Sequence, residues 1–346
     1  MSSLRRRPLE VMPESAPQPV APAVLNAYIH RLAPASMHVH FPWQDLRDIH
    51  GPMLPGRLYI VSARTGSGKT LFVRSLLEHL VGGEQPVPTA YWSTETTSEE
   101  VIRAFAATRL GAHPARIEED DFSQVPGGYG KFAVECANLV SDWCTDTRAA
   151  HRRLALFDEP YPRVTSIRLA LEELVERGIR AFVVDHLLRC VSDLENPFSA
   201  VSTAIRALRQ TASDLGLVCI VTSQQGRNAS GGDRLAWFAP PDLSALKGAG
   251  TIEEEADGVL FLHRVLRDDL VRAEMAELRS GRMPLKSAIA PHLMGVGIGK
   301  ARVDGSRTHA EARLWVENGV VTDLPAGARA EWQSRQHAIK TNRDLA

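Results

Sequence analysis

The chain of 346 residues is long enough for one large or two modest domains, and its composition of 44% hydrophobic and 23% charged residues is ordinary for a globular protein. Its formal net charge of −1, from 40 basic and 41 acidic side chains, means that any nucleic-acid surface must be local. The four cysteines lack the spacing of a disulfide framework or a zinc site, and no apolar stretch is long enough to span a membrane. We therefore predict a cytoplasmic protein with no membrane contact.

The first 37 residues are predicted to stand apart from the body of the protein. Residues 1–22 are rich in Pro, Ala, Ser and charge, which favours a flexible tail. Apolar residues at helical spacing then predict a short linker helix over residues 23–33, which Pro34 ends. The apolar side of this helix packs either on its own domain or on a neighbouring subunit, and the sequence is compatible with both.

Strands and helices alternate from about residue 38 onward. Apolar, β-rich runs predict strands at residues 57–63, 89–95, 153–160, 179–188, 217–225 and 256–264, and the intervening patterns predict helices at residues 66–81, 97–111, 165–178 and 201–216. This alternation predicts an α/β fold with a mostly parallel central sheet flanked by helices. Residues 294–324 then predict a C-terminal β-hairpin with VDGS as its turn and a further edge strand, and residues 324–346 a C-terminal tail.

The stretch SARTGSGKT, residues 62–70, lies between a predicted strand and a predicted helix. That context distinguishes a phosphate-binding loop from a chance glycine-rich turn. The backbone N–H groups of such a loop wrap phosphates, and the helix N-terminus attracts negative charge. We expect Lys69 to reach the β- and γ-phosphates of ATP and the hydroxyl of Thr70 to bind Mg²⁺. The other cofactor-binding residues of the predicted loop are Arg64, Thr65, Gly66, Ser67 and Gly68.

Three polar side chains lie at the predicted carboxyl ends of other strands. Asp185 ends the apolar run AFVVD, where a carboxylate beside the phosphate-binding loop suits a Mg²⁺ ligand. Glu95 ends AYWSTE, from where it could polarise a water molecule for hydrolysis. Gln224 ends VCIVTSQ, where its amide could bond the γ-phosphate and signal hydrolysis to the following loop. Each is also compatible with an ordinary surface or turn residue.

Several motifs of the chain together resemble one family, the DnaB-type replicative helicases. The resemblance is to the C-terminal, RecA-like motor domain of that family and covers about residues 38–323. DLSALKGAGTIEEEADGVLFLHR is the most specific segment, and the Ala-Arg pair before the loop glycines is itself typical of the family. The other matching segments are YIVSARTGSGKTLFV, AYWSTETTSEEVIRAFAATRLG, AFVVDHLL, VCIVTSQQGR and VGIGKARVDGSRTHAEARLWV.

The resemblance implies roles for residues at matched positions. It implies that Glu95 is the catalytic base, Asp185 the Mg²⁺-associated acid and Gln224 the γ-phosphate sensor. GKAR resembles the family's GKQR, which implies that Lys300 and Arg302 reach the γ-phosphate of the neighbouring subunit, with Arg302 as the arginine finger. The family also implies assembly into a homo-oligomeric, hexameric ring.

The sequence departs from the family pattern in three places. After the Mg²⁺-associated aspartate the family usually has an aromatic residue, Leu and Gln, whereas this chain has His186, Leu187 and Leu188. Only about 37 residues precede the motor domain, so we expect the family's N-terminal domain to be missing. The segment at residues 265–295 is longer than usual and charged, and it predicts an extra helix at the subunit edge.

The loops after Asp185 and Gln224 are expected to face the central channel of the ring. The second loop is rich in Gly, Ser and Asn, so its backbone N–H groups and cations could contact a single-stranded phosphate backbone. A disordered surface loop is the alternative. The candidate DNA-binding residues are Arg189, Arg227, Arg234 and Lys247.

Together these features predict a ring-forming, ATP-dependent DNA helicase or translocase that moves along single-stranded DNA and unwinds duplex. Its expected partners are single-stranded DNA and further copies of the chain, with a loader or another replication, defence or mobile-element protein as a third. Two alternatives stay open. One is a ring ATPase of the same fold that remodels DNA in recombination, and the other is a regulatory assembly ATPase that does not unwind DNA.

Overall fold

The computed structural model describes residues 38–330, except for residues 145–152, 191–196, 226–234, 236–237, 239–240, 242, 247–248 and 302–309. The predicted linker helix, the VDGS turn and residues 331–346 therefore lie outside the described residues. Within the described ranges, none of the helices combines the length and apolar character that a membrane span requires.

The described strands form one sheet of nine, in the order β3-β2-β4-β5-β1-β6-β7-β8-β9. The strands β1 to β6 pair in parallel, and β7 to β9 continue the sheet antiparallel, which confirms the predicted α/β class and hairpin. The strands are β1 Leu58–Ala63, β2 Thr89–Ser93, β3 Leu154–Phe157, β4 Ala181–Asp185, β5 Val218–Gln224, β6 Gly258–Leu266, β7 Ile289–Ala301, β8 Glu311–Glu317 and β9 Val320–Asp323.

The helices include every one that the sequence predicts in the described ranges. The helices at Gln44–His50, Pro114–Glu118, Gly128–Leu139 and Ala249–Glu255 were not predicted, and the third of these continues into a π-helical turn at Val140–Cys144. The insertion at residues 265–295 contains α9, as predicted, and also α10. The helices are α1 Gln44–His50, α2 Lys69–Gly82, α3 Ser98–Arg109, α4 Pro114–Glu118, α5 Gly128–Leu139, α6 Val164–Glu176, α7 Pro197–Leu215, α8 Ala249–Glu255, α9 Arg272–Ser280 and α10 Leu285–Ala288.

Helices cover both faces of the parallel part of the sheet, which explains its continuously apolar strands. Every residue of β1, β2 and β4 is buried. One face packs against α1, α2, α3 and α5, with Trp43, Phe72 and Phe105 fully buried there. The other face packs against α6, α7 and α8, around Trp92 and Phe182. The sheet is thus fixed on both sides, and its strand ends are held in place.

A buried carboxylate joins three elements at the amino-terminal edge of the sheet. Asp257, just before β6, accepts from Arg57 Nη1 and lies 2.7 Å from Arg209 Nη1 of α7. Its second oxygen also accepts from the backbone N–H of Leu58 at 3.1 Å. Asp257 belongs to the segment that carries the most specific family resemblance. Its contacts give that aspartate a structural role, at the edge opposite the phosphate-binding loop.

In the antiparallel part of the sheet, polar side chains of β6 and β8 contact each other above a glycine of β7. Gly295 of β7 is in register with His263 of β6 and Arg313 of β8. Glu311 Oε1 lies 2.9 Å from His263 Nε2 and 2.9 Å from Arg313 Nη2. A Cβ atom at Gly295 would collide with the ring of His263 and the carboxylate of Glu311. The absence of a side chain at Gly295 therefore lets His263 of β6 and Glu311 of β8 meet.

The segment predicted as a C-terminal tail begins with ordered contacts. Leu324 is buried, and residues 326–330 are helical. Arg329 Nη2 lies 2.8 Å from Asp45 Oδ1 of α1. Burial raises the pKa of Asp45, and the charge of Arg329 opposes that shift. The described chain is therefore attached to the domain body beyond residue 323.

Candidate nucleotide site

The loop between β1 and α2 has the backbone geometry of an anion cradle. Gly66 and Gly68 have φ angles of 78° and 89°, in the left-handed region where glycine carries no Cβ penalty. No side chain caps the N-terminus of α2 at Gly68, so the first N–H groups of a 14-residue helix are open toward the loop. An anion bound here meets these N–H groups and the positive end of the helix dipole. Lys69 and Thr70 form the first helical turn, as predicted.

Side chains of β6 and β7 contact this loop from the side. Arg264, near the end of β6, donates through Nε to the carbonyl oxygen of Gly66 at 3.0 Å. A Cβ atom at Gly68 would lie 2.7 Å from the terminal methyl of Met294 on β7. Burial lowers the pKa of both Arg64 and Arg264. Arg264 was not predicted as a site residue, although its position at the end of the apolar run GVLFLHR was the available signal.

The carboxylates of Asp185 and Glu95 lie close enough to Lys69 to act on its ammonium group. Burial lowers the pKa of Lys69, and the negative charges of Asp185 and Glu95 oppose that shift. The loop lysine and the two predicted acids thus meet at the carboxyl edge of the sheet. This is the edge at which open α/β sheets bind their ligands.

The carboxylate of Asp185 is fixed by hydroxyl groups from both neighbouring strands. Thr222 Oγ1 of β5 donates to Oδ1 at 2.5 Å, and the Tyr91 hydroxyl of β2 donates to Oδ2 at 3.4 Å. Burial raises the pKa of Tyr91, and the charge of Asp185 raises it further. The carboxylate therefore has a set orientation in a buried position.

Glu95 does not end its strand, contrary to the prediction. Strand β2 ends at Ser93, because the Ser93 hydroxyl turns back to donate to the carbonyl of Thr96 at 2.7 Å. Thr94 donates through its backbone N–H and its hydroxyl to the carbonyl oxygen of Asp185, at 2.8 and 2.9 Å. Glu95 therefore lies on a turn that is attached to the end of β4, and its side chain is 45% exposed.

His186 occupies the space between the two acids. Its backbone N–H donates to Thr94 Oγ1 at 3.1 Å, and its ring Nδ1 accepts from the Leu188 N–H at 3.2 Å. Its Nε2 lies 3.2 Å from Glu95 Oε1. Burial lowers the pKa of His186, and the charge of Lys69 lowers it further. The ring caps the 3₁₀ turn Leu187–Arg189, which replaces the end of the strand predicted at residues 179–188.

Gln224 lies beside the start of the phosphate-binding loop. It is the last residue of β5 and is in register with Ala63, the last residue of β1. Its side chain is half-buried, whereas that of the next residue, Gln225, is buried. The structure thus brings the predicted γ-phosphate sensor to the same edge as Lys69.

Lys300 lies at the other end of the sheet from its own loop. It is in register with Val259 at the start of β6, whereas Met294, six residues earlier, is in register with Arg264 beside the loop. At about 3.3 Å per residue this places Lys300 roughly 20 Å away along β7. Its ammonium group donates to the carbonyl oxygen of Glu253 in α8. Arg302 lies outside the described residues.

One of the four candidate DNA-binding residues can be described. Arg189 follows β4 at the carboxyl edge and donates to the hydroxyl of Tyr161 at 2.6 Å, with its guanidinium 5.1 Å from that ring's centroid. Tyr161 is 65% exposed. Arg227, Arg234 and Lys247 lie outside the described residues.

The sheet order, the loop and the acids at the carboxyl edge define a RecA-like ATPase fold with a phosphate-binding loop. A family model described as the DnaB-like helicase C terminal domain matches residues 39–303. Because that match covers most of the chain, the protein belongs to the family of DnaB-like helicase C-terminal domains.

Individual relatives agree with this assignment. The chain is 25% identical over 254 residues to the replicative DNA helicase DnaB of Treponema pallidum, a match that covers 68% of this chain and 50% of the relative. It is 27% identical over 240 residues to the protein of the same name from Leifsonia xyli, covering 68% and 49%. The chain thus spans about half the length of these relatives.

A solved structure supports the fold assignment independently of sequence. The structure is described as a DnaB-like replicative helicase and its interactions with primase, and it superposes with a TM-score of 0.64. The superposition covers 88% of this chain and 67% of that chain, at 19% sequence identity. At this identity the likeness shows a shared fold.

Proposed function

We propose that the protein hydrolyses ATP at the loop between β1 and α2. The positive-φ glycines and the open helix N-terminus fit a polyphosphate, and Lys69 adds a positive charge beside it. The hydroxyl of Thr70 and the carboxylate of Asp185 offer the oxygen ligands that Mg²⁺ prefers. When bound, Mg²⁺ would neutralise charge on the phosphates. Glu95 would orient the attacking water, and Gln224 would contact the γ-phosphate.

The catalytic site is proposed to be shared between two subunits. Lys300 is too far from its own loop to serve it, since roughly 20 Å of β7 separates them. The matched position of Arg302, two residues further along, suits an arginine finger acting on a neighbour's ATP. This arrangement requires an oligomer, and we propose a hexameric ring.

The proposed work of the ATPase is movement along single-stranded DNA and unwinding of duplex. The relatives that support this proposal are named as replicative DNA helicases. Arg189 supports it from the structure, because it places a cation at the carboxyl edge, in the turn that directly follows Asp185. The second proposed DNA-binding loop directly follows Gln224. The proposed γ-phosphate contact is therefore covalently connected to the proposed DNA contact. A loader or another replication or mobile-element protein is a proposed further partner, in the cytoplasm.

One observation carries the proposal: Lys69, at the open helix N-terminus, has the carboxylates of Asp185 and Glu95 near it at the carboxyl edge of the sheet. The test measures ATP hydrolysis with and without single-stranded DNA, beside unwinding of a forked duplex. We expect stimulation and unwinding. Stimulation without unwinding would indicate a DNA-remodelling ATPase, and neither response would indicate a regulatory assembly ATPase. Electron microscopy with an ATP analogue and DNA would report the subunit number.

A further inference from the structure

His186 links the two turns that carry the proposed catalytic acids. Its backbone N–H donates to Thr94 Oγ1, and that hydroxyl donates to the carbonyl oxygen of Asp185. Its ring then extends to the carboxylate of Glu95, with 3.2 Å between Nε2 and Oε1. The side chain of His186 is 5% exposed, whereas that of Glu95 is 45% exposed. A buried ring that is held by its hydrogen bonds therefore meets a partly exposed carboxylate on a turn.

The hydrogen bonds of the ring determine which nitrogen carries the proton. Nδ1 accepts from the backbone N–H of Leu188 at 3.2 Å, so its lone pair serves as the acceptor and Nδ1 carries no hydrogen. The neutral ring then carries its hydrogen on Nε2. That N–H lies at the nitrogen facing Glu95, so the cap of the 3₁₀ turn provides a donor for the carboxylate.

We propose that His186 is a positioning residue for Glu95 in ATP hydrolysis. The Nε2–H group holds Oε1, and the second carboxylate oxygen, Oε2, is left to accept a hydrogen bond from the attacking water. The inference rests on the proposed function, since it gives a partner to the proposed catalytic base. It also assigns a purpose to the place where His186 replaces the family's usual aromatic residue.

Two substitutions separate the two hydrogen bonds of the ring. In His186→Asn, the side-chain oxygen can replace Nδ1 as the acceptor for Leu188, but the shorter side chain does not reach Glu95. In His186→Gln, the longer amide places an N–H donor near the position of Nε2. His186→Asn is therefore the variant that keeps the cap and loses the donor to Glu95.

The experiment measures single-turnover ATP hydrolysis and the Kd of a fluorescent ATP analogue in the full chain. We expect His186→Asn to lower the hydrolysis rate on the order of ten- to a hundredfold, because a misplaced catalytic group costs this much, with little change in Kd. His186→Gln should recover most of the rate. Adding His186→Asn to Glu95→Gln should slow hydrolysis no further, since both changes act through one carboxylate.

Each contrary result has a distinct meaning. A rate for His186→Asn within about twofold of the wild type would overturn the inference, as would equal losses in the Asn and Gln variants. A matching loss of nucleotide affinity would also overturn it, because a role in packing alone moves both quantities. If Glu95→Gln itself hydrolyses ATP at the wild-type rate, the proposed role of Glu95 fails first, and the inference fails with it.

Discussion

The parallel strands β1–β6 and the antiparallel strands β7–β9 form one sheet, but their polar side chains are distributed differently. In the parallel part the strands are mostly apolar, and the carboxylate of Asp185 lies at a strand end. Polar side chains meet within the antiparallel part, where Glu311 of β8 contacts Arg313 and reaches across Gly295 to His263 of β6. The parallel part thus carries the proposed nucleotide-binding edge, whereas the antiparallel part carries polar contacts between strands.

The largest expected effect tests the parallel part. Lys69→Ala should abolish ATP hydrolysis, because the positive charge aimed at the β- and γ-phosphates is lost. Turnover is measured by phosphate release at saturating ATP. The control is Lys286→Ala, which removes an exposed lysine of α10 and should leave turnover unchanged. Unchanged turnover in Lys69→Ala would contradict the proposal that ATP is hydrolysed at this loop.

Arg302→Ala tests whether the antiparallel part serves a neighbour. Nucleotide binding should persist through Lys69 and Thr70, whereas hydrolysis should fall by a factor on the order of 10³ or more, as for other arginine fingers acting in trans. The control is Arg282→Ala, which removes a largely exposed arginine.

Mixing variants sharpens this test. An Arg302→Ala subunit keeps an intact phosphate-binding loop, and a Lys69→Ala subunit keeps the arginine finger. Where the two subunits meet they can form one complete site, so mixed assemblies should regain ATPase activity that neither variant shows alone. If native mass spectrometry finds mixed assemblies that hydrolyse no ATP, Arg302 does not act across a subunit boundary.

A smaller effect is expected where the parallel strands are joined. Asp257→Ala should lower the free energy of unfolding by about 3–5 kcal/mol, because it leaves Arg57 and Arg209 without their buried carboxylate. Urea denaturation measures the change. Glu172→Ala, which breaks an exposed pair with Arg168, should shift the midpoint little. Equal shifts in the two variants would contradict the structural role of Asp257.

The smallest effect is expected in the antiparallel part. Gly295→Ala should cost about 1–3 kcal/mol of stability, because its Cβ atom would overlap His263 and Glu311. Gly130→Ala is the matched control, since a Cβ atom there meets open space in α5 and alanine favours the helix. Urea denaturation compares the two, and a neutral Gly295→Ala would mean that the charged groups repack freely.

Much of the parallel part could be predicted, because its strands are apolar runs and its loop has a local motif. The position of Glu95 could not, since β2 ends where Ser93 and Thr94 form hydrogen bonds to Thr96 and to Asp185. The contact between His186 and Glu95 likewise depends on two turns from separate strands meeting in space. Sequence spacing specifies neither the hydrogen-bond partner of a hydroxyl nor the direction of a ring.

If the site is shared between subunits as proposed, the separation of Lys300 from its own loop limits how many working sites an assembly can hold. In the proposed shared-site arrangement, an open row of subunits has one fewer complete site than it has subunits. At one end of the row a phosphate-binding loop has no arginine finger beside it, and at the other end an arginine finger has no phosphate-binding loop beside it. Closing the row into a ring completes the missing site without adding a subunit. Turnover per chain should therefore rise with assembly size and rise once more at closure, which makes catalytic output a measure of ring integrity.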